Sequence, residues 1–224
     1  GVKSKIKIGH AGTLDPMASG ILPLAVGKAT KTVQYMMDAG KAYEFTVTWG
    51  QERSTDDAEG EVTASSDNRP TEAEILAILP QFIGDISQTP PNYSAIKLGG
   101  KRAYDLARTG QEVDIKSRNV FVKTLKISSL TTDNRQLTTN FICHCGKGTY
   151  IRSLARDMGR VLGCYGYISA LRRTQVGKFT EGSAISLEIL ENMVHKGSLD
   201  FLLPVETPLD DILAWEAKNK KNNN

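Results

Sequence analysis

The sequence predicts an α+β fold in which a mixed, mostly antiparallel sheet is flanked by helices. Three stretches alternate apolar and polar residues with the period typical of β-strands, at residues 43–49, 121–127 and 137–145. Residues 151–162 instead place Leu154, Met158 and Leu162 on one helical face. Predicted strands outnumber predicted helices and do not alternate with them regularly, which favours α+β over a repeated β-α-β arrangement.

Shorter signals divide the rest of the chain into elements. Apolar residues at helical spacing within 29–37 predict a short helix that ends at Gly40. Thr71 and Glu74 form a capping box at the start of a helix that ends near Pro80. The same kinds of signal predict an exposed acidic loop over 50–60, a strand over 92–98, a turn at Gly99-Gly100, a helix over 101–108, a strand over 167–173 and a helix over 186–195 with Ser186 at its N-cap.

Composition restricts the class of protein more than its activity. The 224 residues are 40% apolar with a net charge of +3, which suffices for a packed core and permits, without requiring, a nucleic-acid partner. Three cysteines and the absence of a signal-peptide pattern predict a reduced, cytoplasmic chain. No apolar run approaches the roughly 18 residues of a membrane-spanning helix. The start at Gly1 predicts a truncated N-terminus, and the polar residues 218–224 predict a frayed tail.

Glycines and prolines surround a single carboxylate in the segment 9–27. Glycine permits positive φ and close approach of the backbone, and Pro16 disfavours the α region for Asp15. We therefore predict a shaped loop that holds Asp15 in a fixed pose, with His10 five residues before it. Two interpretations of Asp15 follow: an Asx-type turn, in which its carboxylate only accepts backbone N–H groups, or a functional acid.

This segment resembles the active-site segment of the TruB family, bacterial tRNA pseudouridine synthases that act on uridine 55 of the T-loop. The matching residues are Gly9-His10-Ala11-Gly12-Thr13-Leu14-Asp15-Pro16 and Ala18-Ser19-Gly20-Ile21-Leu22-Pro23. The resemblance implies the pseudouridine synthase fold, and it implies that Asp15 is the catalytic aspartate. It also implies that His10 reaches into the T-loop and helps to hold the target uridine out of its stack.

Other motifs extend the resemblance along the chain, from about residue 6 to about residue 214. They are Lys41-Ala42-Tyr43, Asn92-Tyr93-Ser94-Ala95-Ile96-Lys97, Gly148-Thr149-Tyr150-Ile151-Arg152-Ser153-Leu154 and Leu171-Arg172-Arg173-Thr174. From its pattern alone Tyr43 is a core aromatic, whereas the resemblance implies that it packs against the target base. By the same resemblance Tyr150 lines the base pocket, Leu171 packs under the base, and Arg152 forms an ion pair with Asp15 that keeps this carboxylate ionised.

Several polar groups keep a structural interpretation. Arg156 and Arg160 are predicted to form a solvated stripe opposite the apolar face of their helix. Arg172 and Arg173 are either cations for a nucleic-acid backbone or members of structural pairs. The sequence Cys143-His144-Cys145 lacks the two separated pairs of ligands that a zinc site needs, so we predict no metal site.

We predict a catalytic domain over 1–203, followed over 204–224 by the start of an RNA-binding region and the polar tail. The predicted reaction converts uridine 55 of tRNA to pseudouridine, with base flipping and with Asp15 attacking either the ribose or the uracil ring. We expect no cofactor, no metal, no membrane and no obligate protein partner, and a monomer that binds the T-stem-loop of tRNA. The alternatives are a non-catalytic RNA-binding module and a hydrolase that uses the glycine loop as a phosphate nest.

Overall fold

The computed structural model describes residues 6–94, 96–98, 101–104, 115–133 and 136–208, and it has the predicted α+β architecture. The strands are β1 Ile8–His10, β2 Ser19–Gly20, β3 Leu24–Val26, β4 Lys41–Trp49, β5 Gln51–Arg53, β6 Val62–Ser65, β7 Gly84–Gln88, β8 Lys97–Leu98, β9 Lys101–Arg102, β10 Arg118–Asp133, β11 Gln136–Cys145, β12 Gly166–Val176 and β13 Phe179–Thr180. The α-helices are α1 Val33–Asp38, α2 Glu72–Ile78, α3 Ile151–Val161 and α4 Leu187–His195, and short 3-10 turns occupy Gly27–Thr32, Leu79–Phe82 and Glu181–Ser183.

The chain divides into two compact units, with one boundary inside β12. The first unit comprises the residues up to Lys41 and those from Arg173 onwards, and the second unit comprises Ala42–Arg172. In the first unit β1 pairs with β3, and β2 and β13 both pair with the end of β12. The second unit contains the strand order β12-β4-β11-β10-β7.

The strands predicted over 121–127 and 137–145 lie in β10 and β11, which form a long antiparallel hairpin from Val122↔Cys145 to Asp133↔Gln136. Buried aromatic side chains of β4 and β11 pack against one another in the core. Phe45 stacks on Phe141 with ring centroids 5.2 Å apart, and Trp49 meets the same ring edge-on at 6.5 Å. The alternation that predicted these strands therefore reflects one face that is buried against apolar partners.

The helix signals in the sequence are confirmed where they rest on caps. The capping box of Thr71 and Glu74 is complete, because each side chain accepts the other's backbone N–H at the start of α2. The hydroxyl of Ser186 accepts the N–H of Ile189 at the start of α4. In α3, Gly159 lies so close to β12 that an added Cβ would be 2.3 Å from the nitrogen of Gly166. Glycine there allows the helix and the strand to touch.

Three element predictions were wrong in part. The predicted helix over 29–37 is a 3-10 turn in its first part, and the α-helix is confined to α1. Within the described part of the predicted strand over 92–98, Lys97–Leu98 form a strand that pairs with β9, where a helix was predicted, whereas residues 103–104 of that predicted helix are helical. Gly99-Gly100, residues 105–108 and the tail over 218–224 lie outside the described residues.

The predicted exposed loop over 50–60 is the clearest error. It forms part of the β5–β6 hairpin and folds onto β12, where the N–H of Ile168 donates to Asp56 O and Ala58 N–H donates to Ile168 O. Asp56 and Asp57 are 6% and 2% exposed. The acidic composition of the segment predicted exposure to solvent, but these two acids are buried and pair with guanidinium groups.

Membrane-spanning helices, metal-ligand clusters and disulfides are all absent from the residues that the structure describes. Within the described ranges, no helix is both long and apolar enough to cross a membrane, and no cluster of three or more His, Cys, Asp or Glu side chains is arranged to hold a metal ion. The three cysteines, Cys143, Cys145 and Cys164, are buried and form no disulfide. Burial raises the pKa of the Cys164 thiol to about 11.

Candidate active site

The loop that carries Asp15 lies in the first unit and is closed at its base by β1 and β3. These strands are antiparallel with the register Ile8↔Val26 to His10↔Leu24, and the N–H of Ala11 donates to Pro23 O at 3.0 Å. His10 is the last residue of β1 and is exposed. The two ends of the loop are thus held together by backbone hydrogen bonds.

Within this loop, Asp15 begins a β-turn. The N–H of Ala18 donates to the main-chain carbonyl of Asp15 at 2.9 Å, and Pro16 occupies the second turn position, for which its fixed φ is suited. Gly12 has a φ of +100° and Gly20 a φ of +99°, a conformation that favours glycine. The half-buried Asp15 therefore lies between two glycines whose backbone conformation would be strained in a residue with a side chain.

The side chain of Arg173, on β12, contacts this loop. The sequence left its role undecided. Arg173 is 2% exposed. Its Nε donates to Ile21 O at 2.7 Å and its Nη2 donates to Gly12 O at 3.1 Å. Burial and hydrogen bonds to main-chain carbonyls favour a structural role for Arg173 over contact with a nucleic-acid backbone, although these carbonyls are not the charged partners of an ion pair.

In the second unit, Arg152 lies near the start of α3 and is 4% exposed. Its Nη1 is 3.3 Å from Asp57 Oδ2 and donates to Thr55 O at 2.9 Å, while its Nη2 donates to Tyr93 O at 3.0 Å. A guanidinium held by several acceptors has a fixed plane and direction. The structure thus gives Arg152 a rigid environment within its unit.

The arginines that follow on α3 pair with the acids of the β5–β6 segment. Arg156 donates to Asp56 Oδ2 and to Asp157 Oδ1, each at 2.8 Å, and it is 7% exposed. The prediction of a solvated stripe was therefore wrong for Arg156. Arg160 is exposed, as predicted, but it forms a two-point ion pair with Glu52 at 2.7 and 2.8 Å.

Burial and neighbouring positive charges shift the pKa values of these acids in opposite directions. Burial raises the pKa of Asp56 to about 6, although Arg156 and Arg152 lower it. The hydrogen bond from Arg160 lowers the pKa of Glu52 from its ordinary value. Asp56 also has a φ of +61°, a rare conformation for a residue with a side chain. The β5–β6 segment therefore holds a strained, buried acid directly beside α3.

Tyr150 immediately precedes α3, and two side chains from distant strands hold it. The amide of Gln88 accepts the N–H of Tyr150 at 2.7 Å and donates to its carbonyl at 3.0 Å. The guanidinium of Arg118 lies 4.9 Å from the centroid of the Tyr150 ring and donates to Gly148 O at 2.7 Å. Tyr150 is therefore fixed through both its backbone and its ring.

The two remaining predicted residues lie on strands of the second unit. Tyr43, on β4, is 9% exposed, and Leu171, on β12, is 7% exposed. Tyr43, Tyr150, Arg152 and Leu171 thus belong to the second unit, and His10 and Asp15 to the first. Their roles toward a bound base stay predictions.

Four residues of this environment were missed by the sequence reasoning, namely Asp56, Asp57, Gln88 and Arg118. The acids carried a usable signal, because an acidic pair can complement arginines repeated every four residues on a helix. Gln88 and Arg118 carried none, since they lie 62 and 30 residues from the backbone groups that they hold.

Family models cover nearly the whole chain. Residues 2–151 match the TruB family pseudouridylate synthase (N terminal domain), and residues 152–210 match the tRNA pseudouridylate synthase B C-terminal domain. The chain belongs to the TruB family. The boundary between the two TruB models lies at the start of α3 and does not coincide with the limits of the two units.

Curated TruB relatives are named tRNA pseudouridine synthase B. The chain is 55% identical to the one from Caulobacter sp., over 93% of this chain and 66% of the relative. It is 56% identical to that from Bradyrhizobium diazoefficiens, over 93% and 61%, and 60% identical to that from Brucella anthropi, over 83% and 56%. The chain thus spans between 56% and 66% of the length of these relatives.

Solved structures agree on the fold. A Cbf5-Nop10-Gar1 complex matches with a TM-score of 0.65 at 30% identity, over 90% of this chain and 53% of that one. An H/ACA RNP bound to a substrate RNA containing 2′-deoxyuridine matches with a TM-score of 0.63 at 26% identity, over 90% and 51%. The fold of this TruB-family chain is the pseudouridine synthase fold, as the resemblance implies.

Proposed function

We propose that this chain is the catalytic part of a tRNA pseudouridine synthase that converts uridine 55 of the T-loop to pseudouridine. The observation that carries the proposal is 55–60% identity, over 83–93% of this chain, to proteins named tRNA pseudouridine synthase B. We propose that the catalytic domain extends over 1–203 and that 204–224 begin an RNA-binding region. The proposed enzyme acts in the cytoplasm as a monomer, on the T-stem-loop of tRNA, without an obligate protein partner.

The proposed reaction is an isomerisation. The bond between N1 of uracil and C1′ of ribose breaks, the base turns, and a bond between C5 and C1′ forms. A proton leaves C5 and a proton is taken up at N1, so the product has the atoms and the oxidation state of the substrate. The reaction therefore needs no electron acceptor and no second substrate, and one nucleophile suffices.

Asp15 is the proposed nucleophile, attacking either C1′ of the ribose or C6 of the uracil. A carboxylate is nucleophilic only when it is ionised. We propose that Arg152 pairs with Asp15 and favours this charged form. Two features support these roles. The Asp15 loop is closed and turned by main-chain hydrogen bonds, and Arg152 is buried and held by Asp57 and main-chain carbonyls.

The target uridine must leave its stack before its C1′ and C6 can be attacked. Unstacking costs a few kcal/mol, and contacts with aromatic and apolar side chains offset it by roughly 1–3 kcal/mol for each stacked base. We propose that Tyr43, Tyr150 and Leu171 provide these contacts and that His10 reaches into the T-loop and helps to hold the target uridine out of its stack. The support for Tyr150 is its fixed backbone and the cation against its ring.

Replacement of Asp15 tests the proposal. Unmodified tRNA is incubated with the chain, and pseudouridine is mapped by position. The wild-type chain is expected to modify uridine 55. Asp15→Asn is expected to lower the single-turnover rate by more than about 1,000-fold, because the nucleophile is lost, while the Kd for tRNA changes by less than about threefold.

Asp67→Asn is the matched control, since Asp67 is an exposed aspartate in the second unit. Its rate should equal that of the wild type. Binding of tRNA without any T-loop pseudouridine from the wild-type chain would overturn the proposal in favour of a non-catalytic RNA-binding module.

A further inference from the structure

The two ends of the Asp15 loop are joined by one side chain of the first unit. Gly12 O lies three residues before Asp15 and Ile21 O lies six residues after it, and both accept hydrogen bonds from the guanidinium of Arg173. The main chain of Arg173 contributes a third bond, because its carbonyl accepts the N–H of Ile21 at 2.7 Å. Arg173 thus fastens the loop on both sides of the acid.

Gly20 permits this contact from the loop side. An added Cβ at Gly20 would lie 2.1 Å from Arg173 O, well inside van der Waals distance, and the φ of +99° is unfavourable for any other residue. Gly27 provides the contrast within the same unit. It also has a positive φ, of +62°, but an added Cβ there would have no atom within 4 Å.

The chemistry of arginine suits this arrangement and that of lysine does not. A guanidinium is planar and carries donors at Nε and at both terminal nitrogens, so it can reach two fixed acceptors that are nine residues apart in sequence. An ammonium group is a point charge on a flexible stem. At a position that is 2% exposed, lysine has all its donors on one nitrogen, so it cannot place separate donors where Nε and Nη2 of arginine meet the two carbonyls.

We propose that Arg173 is a positioning residue for catalysis, which fixes the direction of the Asp15 carboxylate by clamping the main chain on both sides of it. This inference rests on the proposed function, in which Asp15 is the nucleophile. A glycine-rich loop has many conformations available to it, and the clamp selects one of them. Since a misplacement of about 1 Å can cost roughly 100-fold in rate, the clamp acts on the chemical step and not on tRNA affinity.

Arg173→Lys is the first test, with single-turnover pseudouridine formation and tRNA binding measured separately. We expect the saturating rate to fall by about 10- to 100-fold, while the Kd for tRNA stays within about threefold of the wild type. Rates are compared at a temperature where circular dichroism shows each variant fully folded. The separation of rate from affinity distinguishes positioning from a general loss of structure.

Gly20→Ala and Gly27→Ala form a matched pair from the loop side. Gly20→Ala separates the loop from Arg173 and should reproduce the rate loss of Arg173→Lys while leaving the guanidinium in place. Gly27→Ala also places a side chain at a positive φ, with a smaller penalty because +62° lies in the left-handed region that L-residues can adopt, and without a clash; its rate should stay within about threefold of the wild type.

These measurements test the proposed function and the positioning role of Arg173 separately. If the wild type forms no pseudouridine, the proposed function fails. If the wild type is active and folded Arg173→Lys reacts within threefold of it, the positioning proposal fails while the proposed function stands. A loss confined to tRNA affinity would also overturn it, because it would identify Arg173 as an RNA contact. Equal losses in Gly20→Ala and Gly27→Ala would overturn it by showing that backbone strain alone slows the reaction.

Discussion

At the scale of single residues, the buried acids beside α3 are the most informative feature. Asp56 and Arg156 form a buried ion pair at 2.8 Å, yet burial raises the pKa of Asp56 to about 6. Removing water from the carboxylate thus outweighs the attraction of its partner. Ionisation of Asp56 therefore lowers the stability of the folded state, and the free energy of unfolding must depend on pH accordingly.

The first prediction concerns that dependence. The folded pKa of Asp56 lies above its usual value of 3.8, so its stabilising contribution is complete below pH 3.8 and is lost as the pH rises through about 6. Relative to Asp56→Asn, the wild type should lose up to about 3 kcal/mol of unfolding free energy across this window. Urea denaturation at intervals from pH 4 to pH 7 measures the difference.

Glu52→Gln supplies a control of opposite sign. The hydrogen bond from Arg160 lowers the pKa of Glu52, so its contribution is present above the usual pKa and is lost as the pH falls through the lowered one. The wild type should therefore gain stability relative to Glu52→Gln as the pH rises to about 4.5 and stay level above it. A parallel trend for the two variants would contradict the assignment of burial as the dominant effect at Asp56.

At the scale of elements, the start of α3 is fixed by strands that are remote in sequence. Gln88, from β7, is 2% exposed and forms two hydrogen bonds to the backbone of Tyr150. These bonds fix the residue from which α3 begins, two positions before Arg152. The positions of Tyr150 and Arg152 therefore depend on the Gln88 amide, which no local sequence pattern predicts.

Gln88→Ala should consequently affect both stability and rate. Two partly buried hydrogen bonds are lost, and about 2 kcal/mol of unfolding free energy should go with them. The rate of pseudouridine formation by the folded variant should fall because Tyr150 is no longer fixed. Thermal unfolding and single-turnover assays measure the two effects.

Gln175→Ala is the comparison, because the Gln175 amide donates one bond, to Gly177 O in a turn of the first unit. It should cost about 1 kcal/mol and leave the rate unchanged. An unchanged rate in Gln88→Ala would show that the start of α3 does not need this tether.

The elements also show what a sequence can predict. Strands β4, β10 and β11, helix α3 and the caps of α2 and α4 followed from period and capping residues, which act within a few positions along the chain. The burial of Asp56 did not follow, since its partner Arg156 is 100 residues away. Likewise the motifs identified Asp15, His10, Tyr150 and Arg152 as candidates, but Gln88 was not identified, and the partners of Arg173, whose role the sequence left open, became visible only through contacts in the fold.

At the scale of the whole molecule, the proposed chemistry is an internal rearrangement of one substrate. Such a reaction has no step that requires a Lewis acid or a nucleotide. We expect turnover on tRNA to be unchanged after dialysis against EDTA and without added nucleotide, provided that monovalent salt maintains the fold of the tRNA. Loss of turnover in EDTA, restored by a divalent cation with a tRNA shown to stay folded, would favour the hydrolase-like interpretation of the glycine loop.

The burial of every cysteine has a practical consequence for spectroscopy. Cys143, Cys145 and Cys164 are at most 4% exposed, and their seclusion from solvent leaves little thiolate to attack an alkylating dye. The native chain therefore offers a nearly silent background for maleimide chemistry. A fluorophore attached through Thr13→Cys, at an exposed position two residues from Asp15, would report the arrival of RNA at this loop in real time.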